Sequence, residues 1–300
     1  MNVADFSGLL VLDKPGGMTS RAAVDRVQRW FPKRTKIGHA GTLDPLATGV
    51  LVLCLGGATR LIEYVQRMKK VYRTTLLLGA RSDSDDADGV ITPVSGAVAA
   101  EQAKVSECVA VFVGELSQVP PAYSAAKVAG QRAYDLARRG EQVELLPHSV
   151  RIYGIEILHY AYPYLELEVR CGKGTYIRSL ARDIGERLGC GALVQKLRRT
   201  RIGPFTTDGA LTLDADAQMG RAHLLPPELA VSELPRLVLS ENELRRLVQG
   251  QAIAAQPQGM RDPTEMAVFD TAGKLFAVAV LDPQRQMLQP VKVFQSKTSE

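Results

Sequence analysis

The apolar positions along this chain fall into two rhythms. Residues 8–13 (GLLVLD) form a short apolar run that reads as a buried strand, and residues 50–55 and 70–80 (KVYRTTLLLGA) read as further strands. Lys14-Pro15-Gly16-Gly17 is a turn. Thr19 or Ser20 then caps a helix, with Ala23, Val24, Val27 and Trp30 or Phe31 at helical spacing. Residues 33–49 form a loop rich in glycine, threonine and proline, and 58–67 a short helix. An acidic loop spans 82–89, followed by a helix from about 99 to 114. Residues 124–140 (SAAKVAGQRAYDLARRG) read as a basic helix ended by Gly140. Strands are predicted at 150–160, 164–172 and 192–202. The helix between the last two, 175–188, has Ile177, Leu180, Ala181, Ile184 and Leu188 on one side. Consecutive strands mixed with strand–helix alternation indicate an α/β (α+β) domain with a mixed sheet.

The texture changes after Pro204. Residues 206–235 are loop-rich, and from Val238 a smaller pattern begins. It holds a helix near 241–249 and strands at 265–270, 274–281 and 287–294. The expected organisation is therefore a domain over 1–235 and a second, mostly β domain over 236–300, whose compact part runs to about 296.

The chain has 300 residues, 46% of them hydrophobic and 23% charged, which suits a globular protein with a sizeable core. No apolar run approaches the ~20 residues needed to span a membrane. The first residues carry no positively charged leader, so a cytoplasmic location and no membrane association are expected. Cys54, Cys108, Cys171 and Cys190 form no CxxC pair, and with four histidines in the chain no metal cluster is indicated. They are expected to be buried, reduced thiols. The acidic loop fails the calcium-hand template, because Ser84 and Ser95 fall on ligand positions when Gly89 is aligned. It reads as a solvated or site-adjacent turn.

The net charge of +5 is unevenly spread. Between 178 and 201, Arg178, Arg182, Arg187, Lys196, Arg198, Arg199 and Arg201 face only Asp183 and Glu186. Concentrated arginine suits phosphate, so this stretch is expected to meet an anionic polymer.

The most unusual segment is Gly38-His39-Ala40-Gly41-Thr42-Leu43-Asp44-Pro45-Leu46-Ala47-Thr48-Gly49-Val50-Leu51. It has one carboxylate, fixed in extended backbone by the following proline. Such a carboxylate can be a nucleophile, a general base or a turn residue. The glycine spacing matches neither a phosphate loop nor a dinucleotide fingerprint.

GHAGTLDPLATGVL resembles the catalytic motif of TruB-type tRNA pseudouridine synthases. Further segments agree in the same order: LLVLDKPGGMTS, KVYRTTLLLG, DADG, VPPAYSAAKVAGQRAYDLARRG and CGKGTYIRSLARDIGERLGCGALVQKLRRTRIGPF. The resemblance covers about residues 8–205, with weaker agreement to a PUA-like domain beyond. The DPLATGVL form is more similar to the stand-alone bacterial enzymes than to their guide-RNA-dependent relatives.

That resemblance implies isomerisation of uridine to pseudouridine at position 55 in the T loop of tRNA. It implies no cofactor, no metal and no obligatory protein partner, and a monomer. Asp44 matches the catalytic aspartate, Tyr72 the active-site tyrosine, and Arg178 the arginine that keeps the aspartate charged and oriented, with a bidentate grip expected. Tyr176 and Leu197 match residues lining the uracil pocket, although both also suit plain packing. His39 is expected to fill the gap left by a flipped base, and Lys14 to support the catalytic loop. Lys127, Arg132, Arg138 and Arg139 lie in an RNA-gripping insertion over about 120–148, and for each a solvated surface position is the alternative. Two rival readings remain. One is a non-catalytic RNA-binding or RNA-folding protein on this scaffold. The other is a glycoside hydrolase, which needs a second carboxylate such as Asp183 near Asp44.

Overall fold

Both faces of β1 (Gly8–Lys14) are covered, and this explains its unbroken apolar run. Leu10 and Leu12 enter the main core, while Leu9 and Val11 enter a second cluster behind the sheet. The computed structural model describes residues 6–124, 127–128, 131–132, 139, 145–256, 259 and 261–294. After β1, Thr19 caps α1 (Ser20–Val27) by accepting from the Ala22 amide. β2 (Ile37–His39) lies within the segment expected to be loop, and β3 (Thr48–Leu55) follows. Then come α2 (Ile62–Arg67), β4 (Lys70–Leu78), the short pair β5 (Ala80–Ser82) and β6 (Ile91–Pro93), and α3 (Gln102–Ala110).

β7 (Gly114–Gln118) was absent from the expected elements: the helix predicted to run to 114 stops at Ala110. The helix expected over 124–140 is contradicted at 127–128 and 131–132. There β8 (Lys127–Val128) and β9 (Gln131–Arg132) pair antiparallel. Residues 125–126, 129–130, 133–138 and 140–144, Arg138 among them, lie outside the described residues.

β10 (His148–Ala161), β11 (Tyr164–Cys171), α4 (Ile177–Leu188), β12 (Ala192–Ile202) and β13 (Phe205–Thr206) complete the large sheet. Its order is β1-β3-β12-β4-β11-β10-β7, with β2 beside β3 and β13 beside β12. The β3–β12 pair is parallel and the other pairs are antiparallel, so the sheet is mixed. α1, α3 and α4 supply buried residues to the main core against one face.

One edge of β3 is paired along its length with β1. The other edge forks. β2 takes Leu53 to Leu55, and β12 takes Thr48 and Gly49. Residues 40–47 cross the mouth of that fork.

After α5 (Ala217–Ala222), a five-stranded sheet forms from β14 (Arg236–Val238), β15 (Ile253–Ala254), β16 (Thr264–Phe269), β17 (Leu275–Asp282) and β18 (Met287–Val293). It is accompanied by α6 (Glu241–Val248), which opens on a Ser240–Glu243 capping box. This sheet has its own core, but Ala267, Phe269, Leu275 and Val278 also join the cluster behind the large sheet, with Tyr64, Val65 and Met68. Lys292–Glu63 and Arg67–Glu265 ion pairs rim that contact.

Candidate active site

The loop over the fork is fastened almost residue by residue. Arg199 on β12 donates to the carbonyls of Gly41 (3.0 Å) and Thr42 (3.4 Å). The Ser20 hydroxyl accepts from the Leu43 amide (2.8 Å) and donates to its carbonyl (3.0 Å). The Gly17 amide donates to the Pro45 carbonyl (2.9 Å), and the Ala47 amide donates back to the Asp44 carbonyl (3.1 Å). Leu43 plugs the main core. With its neighbours held this way, Asp44 is presented from a rigid backbone, and its side chain keeps 33% of its surface exposed.

Arg178 reaches it from the first turn of α4. The Arg178 Nε lies 3.0 Å from Asp44 Oδ2 and 3.5 Å from Asp86 Oδ2, without an aligned hydrogen bond to either. Its two Nη groups donate to the carbonyls of Ser84 (3.0 Å) and Tyr123 (2.9 Å). The fork expected to grip the aspartate therefore binds backbone, and Asp44 receives the charge side-on. Burial pushes the Asp44 carboxyl above its ordinary range, and Arg178 pulls it back.

Asp86 is the second carboxylate on this cation, and sequence reasoning did not single it out. The 83–88 loop docks on β12 through an Asp86–Val194 bridge. Asp86 Oδ1 accepts from the Ser84 hydroxyl (2.6 Å) and the Asp88 amide (3.1 Å). Tied in this way and 6% exposed, it is a counter-charge rather than an acid facing a substrate. Asp183, the rival second carboxylate, pairs with Arg182 instead.

Tyr72 on β4 is buried, its oxygen 3.5 Å from Arg199 Nη1. Burial raises its phenol and Arg199 opposes that. Tyr72 is thus linked through Arg199 to the backbone of the Asp44 loop. Lys14 is fully buried and donates to the carbonyls of Pro15 and Met18 (both 2.7 Å) and Pro45 (3.5 Å). Desolvation lowers it to about 8, partly offset by Asp44.

His39 ends β2 half-buried, and among the described residues its Nδ1 has no hydrogen-bond partner. Burial, then Arg199 and Arg21, lower its pKa, which favours a neutral ring. Tyr176 precedes α4. Its amide donates to Gln118 Oε1 (2.8 Å), its carbonyl accepts from Gln118 Nε2 (3.1 Å), and its ring meets His148 edge-on at 6.0 Å. The buried Gln118 therefore sets where α4, and with it Arg178, begins. Leu197 is buried in the main core. Lys127 and Arg132 face each other in the β8–β9 pair, and their side chains lie outside the described residues. Arg139 sits in an exposed turn.

The basic stretch 178–201, expected to meet an anionic polymer, is only in part an open cationic face. Arg178 and Arg199 are buried, Arg182 pairs with Asp85 and Asp183, and Arg198 pairs with Asp13. Only Arg187, Lys196 and Arg201 are exposed. Arg199 was the other residue missed. The signal lay in the strand period, which puts it on the same face as Leu197.

Residues 29–177 match the TruB family pseudouridylate synthase N-terminal domain, and 178–232 match the tRNA pseudouridylate synthase B C-terminal domain. A tRNA pseudouridine synthase B of Dehalococcoides mccartyi (strain ATCC BAA-2266 / KCTC 15142 / 195) is 42% identical over 296 residues, covering 97% of each chain. One of Caulobacter sp. (strain K31) is 41% identical over 305 residues, covering 97% of this chain and 96% of the other. The chain belongs to the TruB family of pseudouridylate synthases. A solved structure titled as a Cbf5-Nop10-Gar1 complex superposes with a TM-score of 0.76 at 25% identity, over 99% of this chain and 88% of that one. The mixed sheet of this TruB-family chain is thus the scaffold of its relatives. Among the described residues, no group of three or more His, Cys, Asp or Glu could hold a metal, and no helix is long and apolar enough to cross a membrane.

Proposed function

We propose that this chain isomerises uridine to pseudouridine at position 55 in the T loop of tRNA, with Asp44 as the catalytic carboxylate. The observation that carries the reading is a lone, partly open carboxylate on a pinned loop, ion-paired to a buried arginine. The uridine is flipped from its stack, which takes on the order of a few kcal/mol. Its N1–C1′ bond breaks with the electron pair staying on the base, the base turns, and C5 bonds to C1′. The C5 proton is released and N1 takes one up, so substrate and product have the same composition. Asp44 supplies negative charge where C1′ becomes electron-poor, and Arg178 keeps that carboxylate ionised and aimed. Tyr72 serves proton movement at the base, with Tyr176 and Leu197 bounding the pocket. His39 occupies the gap in the RNA stack. Lys127, Arg132 and Arg139 contact phosphates.

Residues 1–235 form the catalytic domain, and 236–300 a PUA-like unit gripping more distant RNA. The enzyme works in the cytoplasm as a monomer, without cofactor or obligatory protein partner. The DPLATGVL form of the loop supports action without a guide-RNA assembly. Asp44→Asn tests the core of this reading. Tritium release from C5-labelled uridine in tRNA should vanish while tRNA affinity is kept. Robust release by that variant would overturn the assignment.

A further inference from the structure

Four arginines of α4 and β12 are buried or half-buried, and three of them have carboxylates. Arg178 has Asp44 and Asp86, Arg182 has Asp85 and Asp183, and Arg198 has Asp13. The fourth, Arg199, is the largest fully buried side chain, at 1% exposure, and among the described residues it has no ion pair. Its Nε donates to the Val50 carbonyl at 2.8 Å, on the stretch of β3 where the β2–β12 fork opens. Its Nη groups hold Gly41, Thr42 and the Tyr72 oxygen.

A guanidinium caged by neutral acceptors alone is an unfavourable way to fill a fork in a sheet, because its charge is desolvated without a counter-ion. That charge is felt around the cleft: it lowers the proton affinity of Lys14, His39 and Tyr72. The charge of Arg178, by contrast, is divided between two carboxylates. Arginine can only donate. The Tyr72 oxygen is therefore the acceptor at this contact, and its own proton is directed away from Arg199.

We propose that Arg199 is a positioning residue for the isomerisation. It fixes the Gly41–Thr42 backbone ahead of Asp44, and it turns the Tyr72 hydroxyl so that this group and the uncompensated positive charge behind it face the uracil carrying the electron pair of the broken N1–C1′ bond. The inference rests on the assignment of Asp44 and Tyr72 to the reaction. It differs from that assignment in placing a source of positive potential on the base side, opposite the carboxylate on the sugar side.

The test uses the full-length protein and unmodified tRNA transcript, with single-turnover rates and tRNA Kd measured separately. Arg199→Met removes the charge at similar volume, and its rate should fall about 100-fold with Kd within about threefold, as for loss of a preorganised electrostatic group. Arg199→Lys keeps the charge and should be at least about tenfold faster than Arg199→Met, while still about tenfold slower than the parent. In a Tyr72→Phe background the step from arginine to lysine should shrink below about threefold, since the two residues act as a unit. Equal rates for the Lys and Met variants, an undiminished step in the Tyr72→Phe background, or loss of affinity in parallel with rate would each overturn the proposal. If Arg199→Met does not give a folded protein by circular dichroism, the lysine step with and without Tyr72 decides alone. Asp44→Asn run alongside separates the two readings: retained turnover there sinks the parent assignment, whereas an inactive Asp44→Asn with an unaffected Arg199→Met sinks only this one.

Discussion

Removing the guanidinium of Arg178 while keeping its bulk, Arg178→Met, should damage stability and chemistry together. The cation is 5% exposed and stands between Asp44, a third exposed, and Asp86, 6% exposed. Breaking a buried pair by deleting one partner destabilises by ~3–5 kcal/mol. Asp44 has an open side through which water can enter, so Asp86 dominates the loss, and about 3 kcal/mol is expected, at the low end of that range. The carbonyls of Ser84 and Tyr123 lose their donors as well. Asp44 also titrates differently. Burial already raises it above the ordinary value of 3.8, and Arg178 restrains that rise. Stability tied to a carboxyl raised in the folded state is complete below its unfolded pKa and declines as pH climbs through the folded one. Without Arg178 the folded value moves further up, so the deficit should widen from mildly acidic to neutral pH, and the acidic limb of the activity profile should move to higher pH. Urea unfolding in acetate and in neutral buffer, with tritium release over the same range, measures both. A loss below about 1 kcal/mol at neutral pH would refute the reasoning, because it would mean that the buried carboxylate never depended on this cation. So would an acidic limb that stays in place.

Three further outcomes follow from the same geometry. Gly49 has φ +101° and its added Cβ would lie 2.2 Å from the Arg199 carbonyl oxygen, so Gly49→Ala should separate β3 from β12 and yield little folded protein, read by soluble expression and circular dichroism. Gln118→Leu leaves the Tyr176 amide without its partner, while the carbonyl keeps the Leu180 amide, and should lower stability by about 1 kcal/mol or more. It should also slow turnover, because α4 and Arg178 start from that clamp. Normal unfolding and kinetics would show the clamp to be idle. Lys14→Met removes three hydrogen bonds beneath the Asp44 loop. It should lower the single-turnover rate more than tRNA affinity, and an affinity loss alone would place Lys14 on the RNA side instead.

The parts of this fold that could be read from the sequence were those written in periodicity. β1, β3 and β4 showed as apolar or alternating runs, and α4 showed as a one-sided stripe from Ile177 to Leu188. β7 was hidden because GELSQ is half polar and follows a helix without a strong break. The Asp44 loop stood out by composition, and family likeness gave it a role. What the residues alone could not show was which charges face inward. A run of arginines looks the same whether it coats a surface or lines a cleft. The place of β12 between β4 and β3 makes Arg199 interior and leaves Lys196 and Arg201 outside, and the packed face of α4 does the same for Arg178 and Arg187. Asp86 was obscure for the same reason: it lies among three other aspartates in one loop, and burial alone distinguishes it.

The contact between Arg199 and the Gly41 carbonyl joins groups 158 residues apart in the chain. During synthesis from the N-terminus, β1, β3 and the Asp44 segment leave the ribosome long before β12 exists to close the fork. Until then the loop has lost its main clamp, and Asp44 has no Arg178 beside it. A nascent chain therefore has the aspartate but not the site, and competence for catalysis has to wait until β12 lies between β3 and β4.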